Sequence, residues 1–179
     1  MVKELRKFFV WLPILWLAGM LLSCEGMDEV RSLQVGDRVP IVHLVGSDGR
    51  MFDTTSPLTR PGVIVFFHTS CPDCQQELPV LQKVYEAYKS EVAFLAVGRR
   101  QGEAEIAAYW QSQGFCMPYY PDTDASIYGQ FASSGVPRVY IIDRRGIIVR
   151  TFDDAALPVY NTLSVALDEV LSQVGGKAE

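Results

Sequence analysis

The fold is decided by the stretch Val63-Ile64-Val65-Phe66-Phe67-His68-Thr69-Ser70-Cys71-Pro72-Asp73-Cys74. Its first five residues are all β-branched or aromatic, which is typical of a strand that is buried on both faces of a sheet. From residue 72 to residue 89, apolar side chains recur at a spacing of three to four, which predicts a helix. The two cysteines therefore lie where a buried strand passes into a helix.

Cys71 and Cys74 form a Cys-x-x-Cys pair at the expected start of this helix. Unpaired backbone N–H groups and the helix dipole favour an anion there, so the Cys71 thiolate is stabilised. Pro72 suits the first helical turn because it has no N–H group to leave unpaired. Cys74 lies one turn further along and is expected to be more buried. This arrangement predicts thiol–disulfide exchange, in which Cys71 attacks first and Cys74 resolves the mixed disulfide.

Two other interpretations of the cysteine pair are weaker. Half of a zinc site would need further ligands, but Cys116 stands alone and His43 and His68 are not suitably spaced. A purely structural disulfide between residues three apart would close too short a loop to stabilise the fold much. We therefore expect no metal and no cofactor other than the redox-active disulfide Cys71–Cys74. Cys116 itself is expected to be a small, buried apolar residue, with a regulatory or intermolecular disulfide as the alternative.

The remaining chain alternates strands and helices in an order that predicts an α/β fold. A β-hairpin is expected first, followed by a β-α-β-α segment and then by a β-β-α segment. This order gives a mixed central sheet with helices on both faces. Strands are expected at residues 41–45, 51–54, 63–67, 92–97, 138–142 and 147–151, and helices at residues 72–89, 102–113, 124–131 and 158–174.

The N-terminal segment has the pattern of a bacterial lipoprotein signal peptide. A basic start precedes an apolar run at residues 8–22, which is shorter than the roughly 20 residues of a membrane-spanning helix. The run ends beside Cys24 in a sequence that resembles a lipobox, so we expect cleavage before Cys24 and lipidation of its thiol. An uncleaved membrane anchor is the alternative, and both interpretations place the domain outside the cytoplasm, facing the periplasm or the cell exterior. The expected segments are a signal peptide at residues 1–23, a tether at 24–33, a folded domain at 34–175 and a tail at 176–179.

Charge and composition exclude some classes of partner. The formal net charge is −5 and no basic stripe is present, so nucleic acid is not expected as a partner. Hydrophobic residues make up 49% of the chain, which is enough for an ordinary core. The sequence therefore predicts one mildly acidic globular domain behind its leader.

Two segments of the chain resemble one family of exported proteins. Residues 66–79 and residues 135–143 are similar to the TlpA-like thiol–disulfide oxidoreductases, a group that overlaps with the AhpC/TSA family. The resemblance extends over residues 34–174 and implies a thioredoxin fold with an N-terminal β-hairpin extension. It also implies an extracytoplasmic enzyme that reduces protein disulfides, apocytochrome c among them, with electrons from a membrane donor.

The same resemblance implies roles for five residues. Cys71 would be the nucleophile and Cys74 the resolving thiol. Pro137 matches the cis-proline of the family, and the backbone of Val136 before it would pair with a substrate strand. Glu77 would relay protons near the buried thiol, since many members carry Glu three residues after the second cysteine. An ordinary solvent-facing glutamate is the alternative interpretation of Glu77.

Two positions depart from the thioredoxin pattern. Val65 stands where thioredoxins usually carry a buried Asp, and Ser70 stands where they usually carry Trp before the first cysteine. These differences bear on the choice of partner and leave the exchange chemistry in place.

Several other functions compete with that of a reductase. A thiol peroxidase of the peroxiredoxin type would carry Thr three residues before its reactive cysteine, where this chain has His68. A Sco-type copper chaperone separates its cysteines by three residues and needs a later histidine, and no histidine follows His68. A disulfide oxidase or isomerase would use the same cysteines for a different net reaction, and a redox-silent binding lipoprotein would use neither.

Overall fold

The computed structural model describes residues 32–55 and 57–175 of the chain. The predictions of a signal peptide, of lipidation at Cys24 and of a C-terminal tail fall outside the described residues, as does most of the predicted tether. Within the described part of the chain, no helix combines the length and the apolar character that a membrane span requires.

Strands and helices alternate along the described residues much as the sequence predicts. The strands are β1 (His43–Val45), β2 (Met51–Asp53), β3 (Gly62–Phe67), β4 (Ala93–Arg99), β5 (Tyr119–Asp122), β6 (Arg138–Ile142) and β7 (Ile148–Phe152). The helices are α1 (Pro72–Tyr88), α2 (Glu103–Gln113), α3 (Tyr128–Phe131) and α4 (Tyr160–Gly175).

Strand β3 lies at the centre of a five-stranded sheet with the order β5-β4-β3-β6-β7. Strands β3, β4 and β5 run parallel to one another, whereas β6 runs antiparallel to β3 and β7 runs antiparallel to β6. Strands β1 and β2 form a separate antiparallel pair. The predicted α/β fold, with its mixed sheet and N-terminal β-hairpin, is confirmed.

The side chains of β3 enter two hydrophobic clusters, because successive side chains of a strand point to opposite faces of the sheet. Val65 and Phe67 pack with residues of α1, α2 and α4. Ile64 and Phe66 pack on the other face with residues of the β-hairpin and α3. Burying one such side chain contributes roughly 1.5–3 kcal/mol, so the strand that leads to Cys71 is firmly held.

Strand β5 is missing from the sequence-based prediction. Pro118 precedes it and Pro121 lies inside it, and this pattern favours a loop. Proline lacks a backbone N–H donor and is tolerated chiefly in edge strands, and β5 is an edge strand of the sheet. Its position at the edge, which only the tertiary structure shows, is what permits the strand.

The helix predicted at residues 124–131 is shorter than expected and covers only Tyr128–Phe131. The buried carboxylate of Asp122 accepts hydrogen bonds from the N–H groups of Ile127 at 3.1 Å and Tyr128 at 2.8 Å. Ala125 has a φ of 58°, so the chain turns before the helix begins. A carboxylate from the preceding strand therefore sets the start of α3.

The prediction that Cys116 is buried is wrong, because its side chain is exposed. Cys116 lies in the loop between α2 and β5, where its backbone N–H donates to Oε1 of Gln82 at 3.0 Å. A buried glutamine of α1 therefore holds this loop by hydrogen bonding, and apolar packing of the cysteine is not needed.

Candidate active site at Cys71 and Cys74

The loop between β3 and α1 places Cys71 at the N-terminus of a 17-residue helix. Cys71 is the N-cap residue and has an extended backbone, with φ −80° and ψ 121°. Its N–H donates to the carbonyl of His68 at 3.0 Å, and its own carbonyl accepts from the N–H of Gln75 at 3.0 Å. The half-buried Cys71 therefore lies at the end of the helix where the sequence predicts it.

Cys74 lies one turn inside α1 and is fully buried, with 0% of its surface exposed. It belongs to the same hydrophobic cluster as Val65 and Leu78. Burial raises the pKa of the Cys74 thiol well above that of a free cysteine, and a hydrogen bond with the side chain of Cys71 acts in the same direction. Both thiols are free in the structure. The difference in burial makes Cys71 the thiol that a substrate can reach.

A second loop, which precedes β6, contacts Cys71 from across the site. The Cys71 thiol donates to the carbonyl oxygen of Val136, with an Sγ···O distance of 3.3 Å. The peptide bond between Val136 and Pro137 is cis, as the family resemblance implies. The hydroxyl of Tyr128 donates to the carbonyl of Gly135 at 2.6 Å and so holds this loop from the side of α3. The fold thus brings together residues that are 65 positions apart in the chain.

Glu77 is the buried carboxyl group of the site. Only 2% of its surface is exposed, and its Oε1 atom has no hydrogen-bond partner within the described residues. Burial raises the pKa of Glu77 from 4.5 to about 7. Because Glu77 follows Cys74 by three residues, the two side chains leave the helix on the same face. The interpretation of Glu77 as a solvent-facing residue is therefore wrong.

Two glutamines hold the loop that precedes Cys71. Gln101 is fully buried, its Oε1 accepts from the N–H of Thr69 at 2.8 Å, and its Nε2 donates to Oγ1 of Thr69 at 2.6 Å. Nε2 of Gln75 donates to the carbonyl of Thr69 at 2.8 Å. Sequence reasoning missed Gln101, since it lies in the loop between β4 and α2, where a polar residue is ordinary and no local pattern marks it.

His68 takes part in the same turn. Its Nδ1 accepts from the N–H of Ser70 at 3.2 Å and lies 2.9 Å from the Ser70 hydroxyl. The imidazole therefore stabilises the turn between β3 and α1 through a local contact. In residues 32–55 and 57–175, no three His, Cys, Asp or Glu side chains come together as a metal site requires.

Known proteins of similar sequence include two from Bacillus subtilis (strain 168). Its thiol-disulfide oxidoreductase ResA is 26% identical over 155 residues, which cover 83% of this chain and 86% of ResA. Its thioredoxin-like protein YneN is 24% identical over 147 residues, which cover 74% of this chain and 86% of YneN.

Two solved structures of similar fold come from other bacteria. A thioredoxin family thiol:disulfide interchange protein from Chlorobium tepidum TLS matches with a TM-score of 0.64 at 20% identity, and the match covers 78% of this chain and 99% of that one. A secreted Mycobacterium tuberculosis disulfide oxidoreductase homologous to E. coli DsbE matches with a TM-score of 0.62 at 20% identity, over 72% of this chain and 95% of that one. These matches show a thioredoxin fold. The model of the AhpC/TSA family matches residues 35–151, and this chain, with its thioredoxin fold and its Cys71–Cys74 pair, belongs to that family.

Proposed function

We propose that this protein is an extracytoplasmic thiol–disulfide oxidoreductase that reduces protein disulfides. The observation that carries the proposal is the pairing of a half-buried Cys71 at a helix N-terminus with a fully buried Cys74 one turn behind it. Such a pair separates the thiol that attacks a substrate from the thiol that completes the exchange. The similarity to ResA, whose name states this activity, supports the proposal.

The reaction has two steps that balance in atoms and electrons. The Cys71 thiolate attacks one sulfur of a substrate disulfide, so that the substrate S–S bond breaks, a mixed disulfide forms and the departing substrate thiolate takes up a proton. Cys74 then loses its proton and attacks the Cys71 sulfur, which forms the Cys71–Cys74 disulfide and releases the second substrate thiol. Two electrons pass to the substrate, and a donor dithiol must reduce the protein again.

Glu77 is the proposed proton acceptor for the second step. The buried Cys74 thiol holds its proton strongly, because burial raises its pKa. A carboxyl group whose pKa is about 7 is a suitable base at neutral pH, and Glu77 lies on the same helix face as Cys74. Glu77 therefore takes the place of the buried Asp of thioredoxins, whose position is occupied here by the apolar Val65.

Val136 and Pro137 are the proposed contact for substrate backbone. The carbonyl of Val136 already accepts a hydrogen bond from the Cys71 thiol, so its polar backbone faces the reacting sulfur. An extended substrate segment beside this loop could pair with the backbone of Val136 while its disulfide approaches Cys71. Protein disulfides, with apocytochrome c as one candidate, are the proposed substrates, and a membrane electron donor is the proposed reductant.

The direction of electron flow gives the first test. We expect the Cys71–Cys74 couple to have a reduction potential near or below about −250 mV, towards the thioredoxin end of the scale. Burial and the neighbouring charge of Asp73 both disfavour the Cys74 thiolate, so the reduced form gains no stabilisation from that thiolate, which favours a reducing couple. The measurement is equilibration of the purified Cys116→Ser variant with dithiothreitol buffers. A value of about −120 to −180 mV would instead indicate an oxidase or isomerase.

Export and lipid attachment at Cys24 are also part of the proposal, supported by the basic start and the apolar run at residues 8–22. The Cys24→Ala variant is expected to lose all incorporation of labelled fatty acid in cells, because the lipid is carried by the Cys24 thiol. The Cys116→Ala variant, which removes another cysteine, is the matched control and is expected to keep the label. Undiminished labelling of Cys24→Ala would contradict the lipid anchor.

A further inference from the structure

We propose that Gln101 is a positioning residue that holds the reactive sulfur of Cys71 in place through Thr69. The inference rests on the proposed function, since it concerns the same exchange reaction. Gln101 is fully buried in the loop that follows β4, and its carboxamide is directed at the loop between β3 and α1. Buried amides are almost always hydrogen-bonded, and two of the hydrogen bonds of this amide are made to Thr69 in the loop that carries the nucleophile.

Every polar group of Thr69 is bound by a glutamine. The Thr69 N–H donates to Oε1 of Gln101 at 2.8 Å, and Thr69 Oγ1 accepts from Nε2 of Gln101 at 2.6 Å. The Thr69 carbonyl accepts from Nε2 of Gln75 in the first turn of α1 at 2.8 Å. The loop is thereby held both by the loop that follows β4 and by the start of α1, which leaves Thr69 little freedom to rotate.

The chemistry of the partners fixes the orientation of the Gln101 amide. A backbone N–H can only donate, so the group that faces Thr69 N must be the carbonyl oxygen of Gln101. The amide nitrogen then donates to Thr69 Oγ1 and to Oε1 of Glu105 on α2. A carboxylate can only accept, so Glu105 holds the amide in the one orientation that satisfies Thr69.

The hydrogen bonds from Gln101 and Gln75 to Thr69 form a clamp on this loop. The clamp acts on Cys71 because only Ser70 separates Cys71 from Thr69. The Cys71 N–H is bound to the carbonyl of His68, the residue before Thr69, so the turn moves as one unit. With the turn fixed, Cys71 Sγ stays 3.3 Å from the carbonyl of Val136, where a substrate strand would lie. A displacement of about 1 Å at a reacting atom can cost about 100-fold in rate, so loosening Thr69 should slow exchange.

The test compares two buried glutamines. Gln101→Met removes the hydrogen bonds to Thr69 and keeps the volume, and we expect a loss of about 10- to 100-fold in kcat/KM for disulfide reduction. We expect the alkylation rate of Cys71 to change in the same variant. Mass spectrometry follows the modification of Cys71 by itself, so that Cys116 does not contribute. Gln82→Met is the matched control: Gln82 is also buried, and its Oε1 accepts from the N–H groups of Cys116 and Met117, away from the site.

A second pair of variants tests the orientation of the amide. Gln101→Glu keeps the acceptor for the Thr69 N–H but loses the donors and places two carboxylates together, so exchange should be slow. Combining Gln101→Glu with Glu105→Gln restores one donor and one acceptor between the two side chains, and we expect it to recover most of the wild-type rate. If Gln101 were only structural, the single variant would lose stability while its exchange rate stayed near wild type, so the interchange would have no lost rate to recover.

Two results separate failure of the inference from failure of the proposed function. If Gln101→Met and Gln82→Met lose similar stability while exchange and Cys71 alkylation in both stay within about twofold of wild type, Gln101 is structural only and the inference is overturned. If the wild-type protein itself reduces no disulfide, the proposed function fails. In that event the alkylation rate of Cys71 in the Gln101 variants, relative to the Gln82 control, still decides whether the clamp positions the thiol.

Discussion

Cells that produce the Cys74→Ser variant should accumulate covalent complexes between this protein and its substrates, joined through Cys71. Cys74 is fully buried. A thiol from solution therefore cannot readily reach the position from which Cys74 attacks the Cys71 sulfur. A well-oriented intramolecular attack corresponds to an effective concentration of about 10⁵ M or more. Replacing it by external thiols at millimolar concentration should slow release of the mixed disulfide by several orders of magnitude. The complexes are measured as reducible bands on a non-reducing gel.

Two matched substitutions control this experiment. Adding Cys71→Ser to Cys74→Ser should abolish the complexes, because the attacking sulfur is then gone. Cys116→Ser combined with Cys74→Ser should leave them unchanged, although Cys116 is an exposed free thiol and could form adventitious disulfides. Complexes that persist without Cys71, or that disappear without Cys116, would show that the roles of the thiols are assigned wrongly.

The position of the active site could be predicted from the sequence because its main determinants are local. The β-branched and aromatic run at Val63–Phe67 predicts a buried strand, and Pro72 with the apolar spacing after it predicts the start of the helix. Both features are present in the structure within one residue of their predicted bounds. The placement of Cys71 at the helix N-terminus and the burial of Cys74 follow from these two elements.

The parts that could not be predicted depend on contacts between distant residues. Strand β5 forms because β4 provides a pairing edge, which outweighs the local preference of Pro118 and Pro121 for a loop. Gln101 reaches Thr69, 32 residues earlier in the chain, across the ends of two neighbouring strands. Cys116 is exposed because Gln82, 34 residues away, holds its loop by hydrogen bonds. No periodicity or motif in the sequence reports such pairs.

Glu77→Gln should slow the resolving step by about 100-fold, which is at the lower end of what a positioned general base contributes. In the wild-type protein, Glu77 must be ionised to accept the Cys74 proton. The rate of the second step should therefore rise as the pH passes through about 7, the raised pKa of Glu77. Glutamine cannot titrate, so this inflection should be absent from the variant.

The resolving step can be measured alone in a Cys116→Ser background, which removes the exposed thiol. The reduced protein is mixed with an aromatic disulfide whose thiolate product absorbs visible light. Attack by Cys71 releases the first equivalent, and attack by Cys74 releases the second. Only the second phase should be slower in Glu77→Gln. A slowed first phase with an unchanged second phase would contradict the assignment of Glu77 to Cys74.

Glu77→Gln should raise the stability of the fold at neutral pH although it slows the resolving step. The sign of the stability change follows from the direction of the pKa shift of Glu77. The folded-state pKa of Glu77 is raised from 4.5 to about 7 by burial, so the ionised form is disfavoured in the folded protein. The contribution of Glu77 to stability is therefore greatest at low pH and falls as the pH rises from about 4.5 to about 7. At about 1.4 kcal/mol for each pKa unit, the loss is about 3 kcal/mol.

Glu77→Gln removes this loss, so the variant should be more stable than wild type above pH 7 by up to about 3 kcal/mol, and the difference should vanish near pH 4. Urea unfolding at several pH values measures it. Glu91→Gln, which removes an exposed carboxyl just after α1, should show no such trend.

The two effects of Glu77→Gln together show why the protein carries a glutamate there. If Glu77 served only to pack the core, there would be no reason to keep a residue that lowers stability at neutral pH. A variant that is more stable yet slower in resolution would therefore show that Glu77 is retained for proton transfer, whereas a variant that is less stable at every pH would show that its carboxylate supports the fold.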